Sequence, residues 1–473
     1  MTTPSFDIRL RWHKSDAQPP IGLCYIAAVL EKSNYDVQIL DAFAKCLSPD
    51  EIKKEIKLRK PDIIGINLSY SIFYKNAKKL SELIKDVNKN IITVIGGAHL
   101  FLNSAQTMAE MPCLDFAIRG EGEYAFLELI KSIDNKTPLS EIKGLVYREG
   151  NELKINPGKE WIDDLDELPF PARQLIDMGS KDYGITFRYK RLPATGMVSS
   201  RGCPSSCLFC DRVFGRKYRV HSARRVIEEM KHLIKEYGIK EIFFMDDNFL
   251  LDINRVKEIC KLIKEGNIDI TWSCQGRIDT VYNNPEIIPI IKSAGCWYIS
   301  FGIESGNQSV LNFIHKNITL EQVRKVIDIV HNKGIITKGY FMIGHPIDTK
   351  ETIIDTINFA KSLKLDAVQF NLTVPYPGTE LYGVALKTGQ FDAEEYEHLS
   401  GHSNTPIYVP NGLTKKDLIE LQKKGYKEFY FRPSYFLSQA KNITDLTALK
   451  RYSYNGSIYV KKLVLSKLNK MFA

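Results

Sequence analysis

Three cysteines, Cys203, Cys207 and Cys210, fall within the ten-residue run Arg201-Gly202-Cys203-Pro204-Ser205-Ser206-Cys207-Leu208-Phe209-Cys210. Three thiolates at this CxxxCxxC spacing can take three corners of a four-iron cube, leaving one iron open to a ligand the protein does not supply. Two other uses compete with that one. A structural zinc site wants a fourth protein ligand in a paired arrangement, and no CxxC or HxxxH partner lies nearby. An electron-carrying ferredoxin wants a fourth cysteine. The remaining six cysteines, Cys24, Cys46, Cys113, Cys260, Cys274 and Cys296, stand singly among apolar residues and read as small buried hydrophobes. Crowded thiols in a reducing compartment point to metal rather than to disulfides.

The elements that must position this motif form two series. In the first ~140 residues, Phe6–Arg11, Asp36–Asp41, Asp62–Ser69, Ile91–Ile95 and Phe116–Arg119 read as near-continuous apolar strands. Pro20–Ser33, Pro49–Arg59, Lys75–Val87, Ser104–Glu110 and Tyr124–Ile133 read as the helices between and after them. Such alternation predicts a parallel, flavodoxin-like (Rossmann-type) sheet with ligands at the carboxyl ends of its strands. From 141 to about 190 the rhythm breaks. Glu149-Gly150-Asn151 predicts a hairpin turn, and the acidic, proline-bearing run Asp163–Pro171 predicts an extended linker.

A second series starts at about 191. Ala194–Ser199, Glu241–Met245, Ile270–Cys274, Trp297–Ile303, Ile336–Ile343 and Ala367–Val374 read as strands. Helices are predicted at Ala223–Tyr237, Arg255–Lys264, Leu320–Asn332 and Lys350–Leu363. Six βα units with right-handed crossovers curl into a partial (β/α)6 barrel whose chemistry belongs at the carboxyl rim, and the cysteine run directly follows its first strand. The expected organisation is therefore α/β throughout: a sheet domain over 1–140, a linker over 141–190, a barrel over 191–400 and a small, mainly helical extension over 401–473. At 473 residues, one core would not suffice.

A composition of 44% hydrophobic and 26% charged residues is that of an ordinary globular protein. The formal charge of +9 is spread over amphipathic helices. No basic stripe is interleaved with aromatics, so nucleic acid is not an expected partner. No apolar run approaches the ~20 residues of a membrane span, and MTTPSFDIRL lacks a signal peptide's pattern, so a cytoplasmic location is expected. The final run Tyr459–Phe472 alternates apolar and basic residues at helical spacing. Docking on its own protein is preferred over contact with an anionic membrane surface, which would suit a lipid-like substrate.

The cysteine run at the end of a first barrel strand resembles the radical S-adenosylmethionine superfamily, over about residues 190–400. The resemblance implies a [4Fe-4S] cluster held by Cys203, Cys207 and Cys210. It implies too that the amino and carboxylate groups of S-adenosylmethionine chelate the open iron, and that one electron yields a hydrogen-abstracting 5′-deoxyadenosyl radical. Phe209 matches the family's aromatic near adenine. Met245-Asp246-Asp247-Asn248-Phe249 stands where many members carry Gly-Gly-Glu, making Asp247 and Asn248 candidates for the cofactor's ammonium; two carboxylates capping the next helix is the alternative. Glu304, in Ile299–Gly306, matches the carboxylate that meets the ribose hydroxyls. Arg277 is a candidate for the methionyl carboxylate, with a surface ion pair as its alternative. His345 replaces a usually apolar residue and reads either as a loop histidine or as a proton donor facing substrate.

Pro19–Leu23, Val94-Ile95-Gly96-Gly97-Ala98-His99 and Arg119-Gly120-Glu121-Gly122-Glu123 resemble the cobalamin-binding domain fused to this enzyme class. Gly96, Gly97, Gly120 and Glu121 are the candidate contacts, the glycines letting backbone approach a flat ligand. No Asp-x-His-x-x-Gly motif occurs, and His13 lies outside such surroundings, so the resemblance implies cobalamin without a histidine lower ligand. A methyltransferase acting on an unactivated carbon or phosphorus is the leading expectation. A cyclase, rearrangement or carbon–carbon coupling enzyme of the same build is the rival, and an iron–sulfur carrier or sensor the remote alternative. A small-molecule or lipid-like substrate and an external one-electron reductant of flavodoxin or ferredoxin type complete the expectation.

Overall fold

The computed structural model describes residues 1–4, 17–158, 161–178, 183, 189–392, 405–433 and 435. The amino-terminal sheet has the order β1 (Ile63–Asn67), β2 (Ile92–Gly96), β3 (Phe116–Ile118), β4 (Leu145–Glu149), β5 (Glu152–Ile155). Strands β1 to β3 run parallel, as their helical crossovers require. Helices α1 (Ile21–Lys32), α2 (Pro49–Arg59), α3 (Tyr74–Val87), α4 (Leu100–Glu110) and α5 (Gly122–Asn135) accompany them. Helix α2 starts at a capping box in which Ser48 accepts from the Glu51 amide and Glu51 accepts from the Ser48 amide.

Two details differ from the sequence reading. The turn at Glu149-Gly150-Asn151 is there, but its strands β4 and β5 add to the amino-terminal sheet in antiparallel fashion, so the sheet extends past residue 140. The segment Asp36–Asp41 is not a strand among the described residues. Ile39 is buried and Val37 half-buried against α1 and its neighbours, which accounts for their apolar alternation. Burial of alternate side chains does not make a strand without a backbone ladder, and here one amide bond, from Thr2 N–H to the Leu40 carbonyl, is made. The strand expected at Phe6–Arg11, together with His13, lies outside the described residues, as does the terminal run Tyr459–Phe472.

The second sheet consists of β6 (Ala194–Met197), β9 (Glu241–Phe244), β10 (Thr271–Gly276), β11 (Cys296–Glu304), β12 (Ile336–Ile343) and β13 (Ala367–Leu372), all parallel and paired in chain order. Between β6 and β9, the short ribbon β7 (Ser200–Arg201) with β8 (Arg219–Val220) closes a loop. The three cysteines lie in that loop. Along β12, Thr337, Phe341 and Ile343 are buried while Lys338, Tyr340 and Met342 are half-buried. The helix-facing side therefore builds the core, and the other side lines a lumen.

An open barrel leaves an edge at β13, and the helix Lys415–Tyr430 covers it. Gln422, Tyr426 and Tyr430, spaced four apart on one helix face, reach the strand backbone. The Tyr430 hydroxyl bonds Val368 N–H and C=O at 3.0 and 2.9 Å, and Tyr426 does the same for Phe370 at 3.1 and 3.2 Å. Gln422 adds a bond to the Phe370 carbonyl at 2.9 Å. Edge groups that would otherwise template another chain are satisfied from within. Among the described residues no helix is long and apolar enough to cross a membrane.

Candidate active site at the barrel rim

The cysteine loop is pinned from several sides. Gly202 takes φ +86°, and a Cβ there would strike the Lys217 carbonyl, so only glycine lets the chain turn into Cys203. Cys203 N–H bonds the Gly215 carbonyl, Leu208 N–H bonds that of Ile314, and Leu381 N–H bonds that of Leu208. All three cysteines are free of disulfides; Cys207 is buried and the other two half-buried. Burial pushes the Cys210 thiol up to about 11, with Asp211, Cys207 and Asp247 adding to the rise against the Arg212 amide. A thiol so held becomes a thiolate only when a metal replaces its proton. Among the described residues no three His, Cys, Asp or Glu side chains converge on a point that a single ion could occupy. A four-iron cube instead asks for thiolates at its separated corners, and three unpaired thiols on one anchored loop fit that group.

The strand ends around the loop supply the other groups. After β9, Asp246 is buried and accepts from Ser199 N–H, Ser199 Oγ and Ser200 Oγ at 2.6–2.7 Å, which ties the loop's entry strand to β9. Asp247 points the other way and is exposed. Its surrounding protein, and then the charges of Asp246 and Asp211, push its carboxyl up to about 6. A carboxylate among like charges gains most from a cation. Asn248 is buried, and neither its amide nitrogen nor its oxygen has a partner. The two candidates thus differ in exposure, and the unpartnered amide of Asn248 leaves it as available to a ligand as Asp247 is.

At the end of β11, Glu304 sits at a register shift beside Gly302 and adopts φ +72°, strain of the kind stored at functional sites. Its carboxylate is buried and bonded by Lys316 Nζ at 2.9 Å. Lys316, not singled out in the sequence, also lies 5.9 Å from the Phe209 ring centroid. His345, after β12, is fully buried 6.4 Å from that ring, and both its ring nitrogens are without partners. Burial lowers its pKa, against the charges of Asp348 and Glu304. It is a packed histidine beside the Phe209–Glu304 group rather than a surface loop residue.

Arg277 makes the ion pair that is its alternative reading, though it is mostly buried rather than on the surface. Its Nε and Nη2 grip the Asp279 carboxylate at 3.0 and 2.9 Å, and Nη2 also reaches the Lys316 carbonyl at 3.1 Å. Its Nε–Nη2 edge is therefore taken by protein, which leaves Nη1. Nη1 lies 3.7 Å from Cys207 Sγ.

The amino-terminal candidates divide. Gly97 takes φ +113°, and a Cβ there would lie 2.7 Å from the Leu68 backbone, so the chain after β2 needs glycine to pass β1. A Cβ on Gly96 or Gly22 would meet nothing within 4 Å. Tyr70 after β1 and Leu102 after β2 are exposed, and the barrel loop carrying Gly378 meets Leu102. Backbone without side chains beside exposed apolar groups fits a large flat ligand such as a corrinoid. His99, in the same segment, is tied through Nδ1 to Ser71 Oγ at 2.9 Å.

Glu121 is a correction. Both carboxylate oxygens are occupied: Oε1 by Arg201 at 2.9 Å, Oε2 by Arg219 at 2.6 Å and the Ile162 amide at 2.7 Å. Glu123 binds Arg201 at 2.6 Å, and all four side chains are buried. Two acids of the sheet domain and two arginines of the cysteine-loop ribbon thus form a clasp between domains, and Glu121 has no free oxygen for a cofactor. Gly120, at φ +104°, lies in the turn leading into this clasp. A regularity of sequence does point to it: Arg201 abuts the cysteine motif, but its partners lie some eighty residues earlier.

The Radical SAM superfamily model matches residues 197–360, and the B12 binding domain model matches residues 16–130. An uncharacterized methyltransferase of Pyrococcus horikoshii is 36% identical over 417 residues, covering 88% of each chain. The anaerobic magnesium-protoporphyrin IX monomethyl ester cyclase of Rubrivivax gelatinosus is 27% identical over 430 residues, 88% of this chain and 74% of that one. Among solved structures, the radical S-adenosylmethionine methyltransferase TsrM from Kitasatospora setae, with cobalamin and a [4Fe-4S] cluster bound, aligns with a TM-score of 0.66. It is 16% identical over 89% of this chain and 80% of its own, a likeness of fold. With both signatures in this order and a relative matched over most of its length, the chain belongs to the radical S-adenosylmethionine superfamily, in the group that carries an amino-terminal B12 binding domain.

Proposed function

We propose that this chain is a cobalamin-dependent radical methyltransferase acting on an unactivated carbon or phosphorus of a small or lipid-like molecule. The observation that carries the reading is the anchored loop with three free cysteines and no fourth, set beside an exposed carboxylate of raised pKa. When bound, the cluster and the corrinoid supply an electron for cleaving S-adenosylmethionine and a transferable methyl group.

The protein's part is binding and orientation. Cys203, Cys207 and Cys210 hold the cluster. Asp247 receives the ammonium of S-adenosylmethionine, Phe209 packs near its adenine, and Glu304, held by Lys316, accepts from the ribose hydroxyls. Asn248, a buried amide with no protein partner, joins Asp247 toward that ammonium. Gly96 and Gly97, with Gly120 shaping the next turn, let backbone approach the corrinoid, to which no histidine of the described residues is assigned as a lower ligand. Electrons come from an external flavodoxin- or ferredoxin-type protein in the cytoplasm.

The likeness to a cyclase over 88% of this chain favours a second reading, ring closure or coupling on the same scaffold. Metal content of anaerobically purified protein separates the two. About four irons with one corrinoid per chain is expected. Iron without corrinoid moves the assignment to the cyclase class, and no 5′-deoxyadenosine from S-adenosylmethionine and reductant rejects both.

A further inference from the structure

We infer that Arg277 sets the reduction potential of the cluster through Cys207, an inference that rests on assigning the cluster to the three cysteines. The guanidinium is 12% exposed and held on two sides. Asp279 takes Nε and Nη2, and the Lys316 carbonyl takes a second Nη2 hydrogen. This anchoring leaves Nη1 directed at Cys207 Sγ, 3.7 Å away, within hydrogen-bonding range for sulfur. Cys207 is the most buried of the three cysteines, so the contact lies in a region where water screens charge weakly.

The consequence follows from charge. A one-electron reduction adds a negative charge that spreads onto the sulfurs. An N–H bond to a coordinating sulfur and a fixed positive charge both stabilise that state more than the oxidised one, so each raises the potential. Asp279 offsets part of the charge, but it sits behind the guanidinium and is 33% exposed, where solvent screens it. Cys210 receives a bond from the Arg212 backbone amide, which a change at Arg277 leaves in place, so variants at Arg277 read the Cys207 corner alone. Arg277 is thus a positioning residue for the electron rather than a partner of substrate.

The test is a redox titration of the reconstituted full chain, followed by electron paramagnetic resonance of the reduced cluster, without S-adenosylmethionine or substrate. In Arg277→Gln, reduction becomes about tenfold less favourable, a shift of about 59 mV to more negative potential for a one-electron couple. Arg277→Lys keeps the charge and loses the fixed Nη1 contact, so it shifts in the same direction by less. A wild-type potential in Arg277→Gln overturns the inference. Where that variant fails to load iron, Arg277→Lys decides: a more negative potential supports the role and an unchanged one overturns it. A wild-type chain with no reducible four-iron signal overturns the cluster assignment itself, a different failure.

Discussion

The carboxyl edges of the two sheets are made from opposite materials. On the barrel, successive strands end in the cysteine loop, Asp246-Asp247, Arg277, Glu304 and His345, a rim of coordinating, charged and buried polar groups. On the amino-terminal sheet, the corresponding ends carry buried Leu68, exposed Tyr70, Gly96-Gly97 and Gly120, mostly backbone, with the charge of Glu121 spent on the clasp. Both edges use the same parallel-strand geometry. The first suits a charged sulfonium amino acid on an open iron, the second a broad flat ring. The clasp of Glu121, Glu123, Arg201 and Arg219 joins them, with its arginines on the ribbon that closes the cysteine loop.

The sharpest way to break this contrast is at the barrel rim. Alanine at Cys203, Cys207 or Cys210 is expected to abolish iron loading and 5′-deoxyadenosine formation together, as read by iron analysis and product chromatography. Full loading in any of the three contradicts the trio. Next in size is the clasp. Glu121→Ala leaves Arg201 short of one partner and Arg219 without its carboxylate, both buried, a loss of about 3–5 kcal/mol. Denaturant unfolding of the apo chain measures it, and wild-type stability would show that the clasp contributes nothing.

At the other edge, Gly97→Ala forces a Cβ toward the Leu68 backbone at a positive φ, at a cost of about 1–3 kcal/mol. Corrinoid retained on purification is expected to fall, while iron loading holds. Equal losses of both would erase the distinction between the edges.

Asp247→Asn is expected to weaken S-adenosylmethionine binding by about tenfold, consistent with loss of one charge-assisted contact. It also carries a pH signature. The folded carboxyl, at about 6, lies above its unfolded value, so the native state holds the extra proton between about pH 4 and 6. Stability therefore falls as pH rises through that window and stays lower above it. Apo Asp247→Asn should melt higher than wild type at pH 8 and lose that advantage by pH 4. The opposite trend would show that the surrounding protein and the charges of Asp246 and Asp211 do not raise its carboxyl.

Much of this was legible in the chain. Helices Pro49–Arg59, Ala223–Tyr237 and Leu320–Asn332 and strand Ile336–Ile343 stand where periodicity puts them, because each carries its own apolar face and, at Ser48, Ser222 and Thr319, its own cap. The cysteine motif was legible for the same reason: its residues are neighbours in sequence. What escaped depends on partners far apart. Asp36–Asp41 has a strand's pattern without a strand's ladder. The fate of β4 and β5 depends on which edge was vacant, and the roles of Glu121 and Lys316 depend on contacts twelve to ninety-eight residues away that a local pattern does not encode. Arg277 pairs with Asp279 only two residues on, but its reach to Cys207 spans seventy.

The central claim is that an iron with no protein thiolate receives S-adenosylmethionine. Electron paramagnetic resonance of the reduced, reconstituted chain, recorded before and after adding that molecule, tests it most directly. The account predicts that the four-iron signal changes shape on addition, because the amino acid end becomes an iron ligand. A spectrum that is identical with and without it contradicts the account.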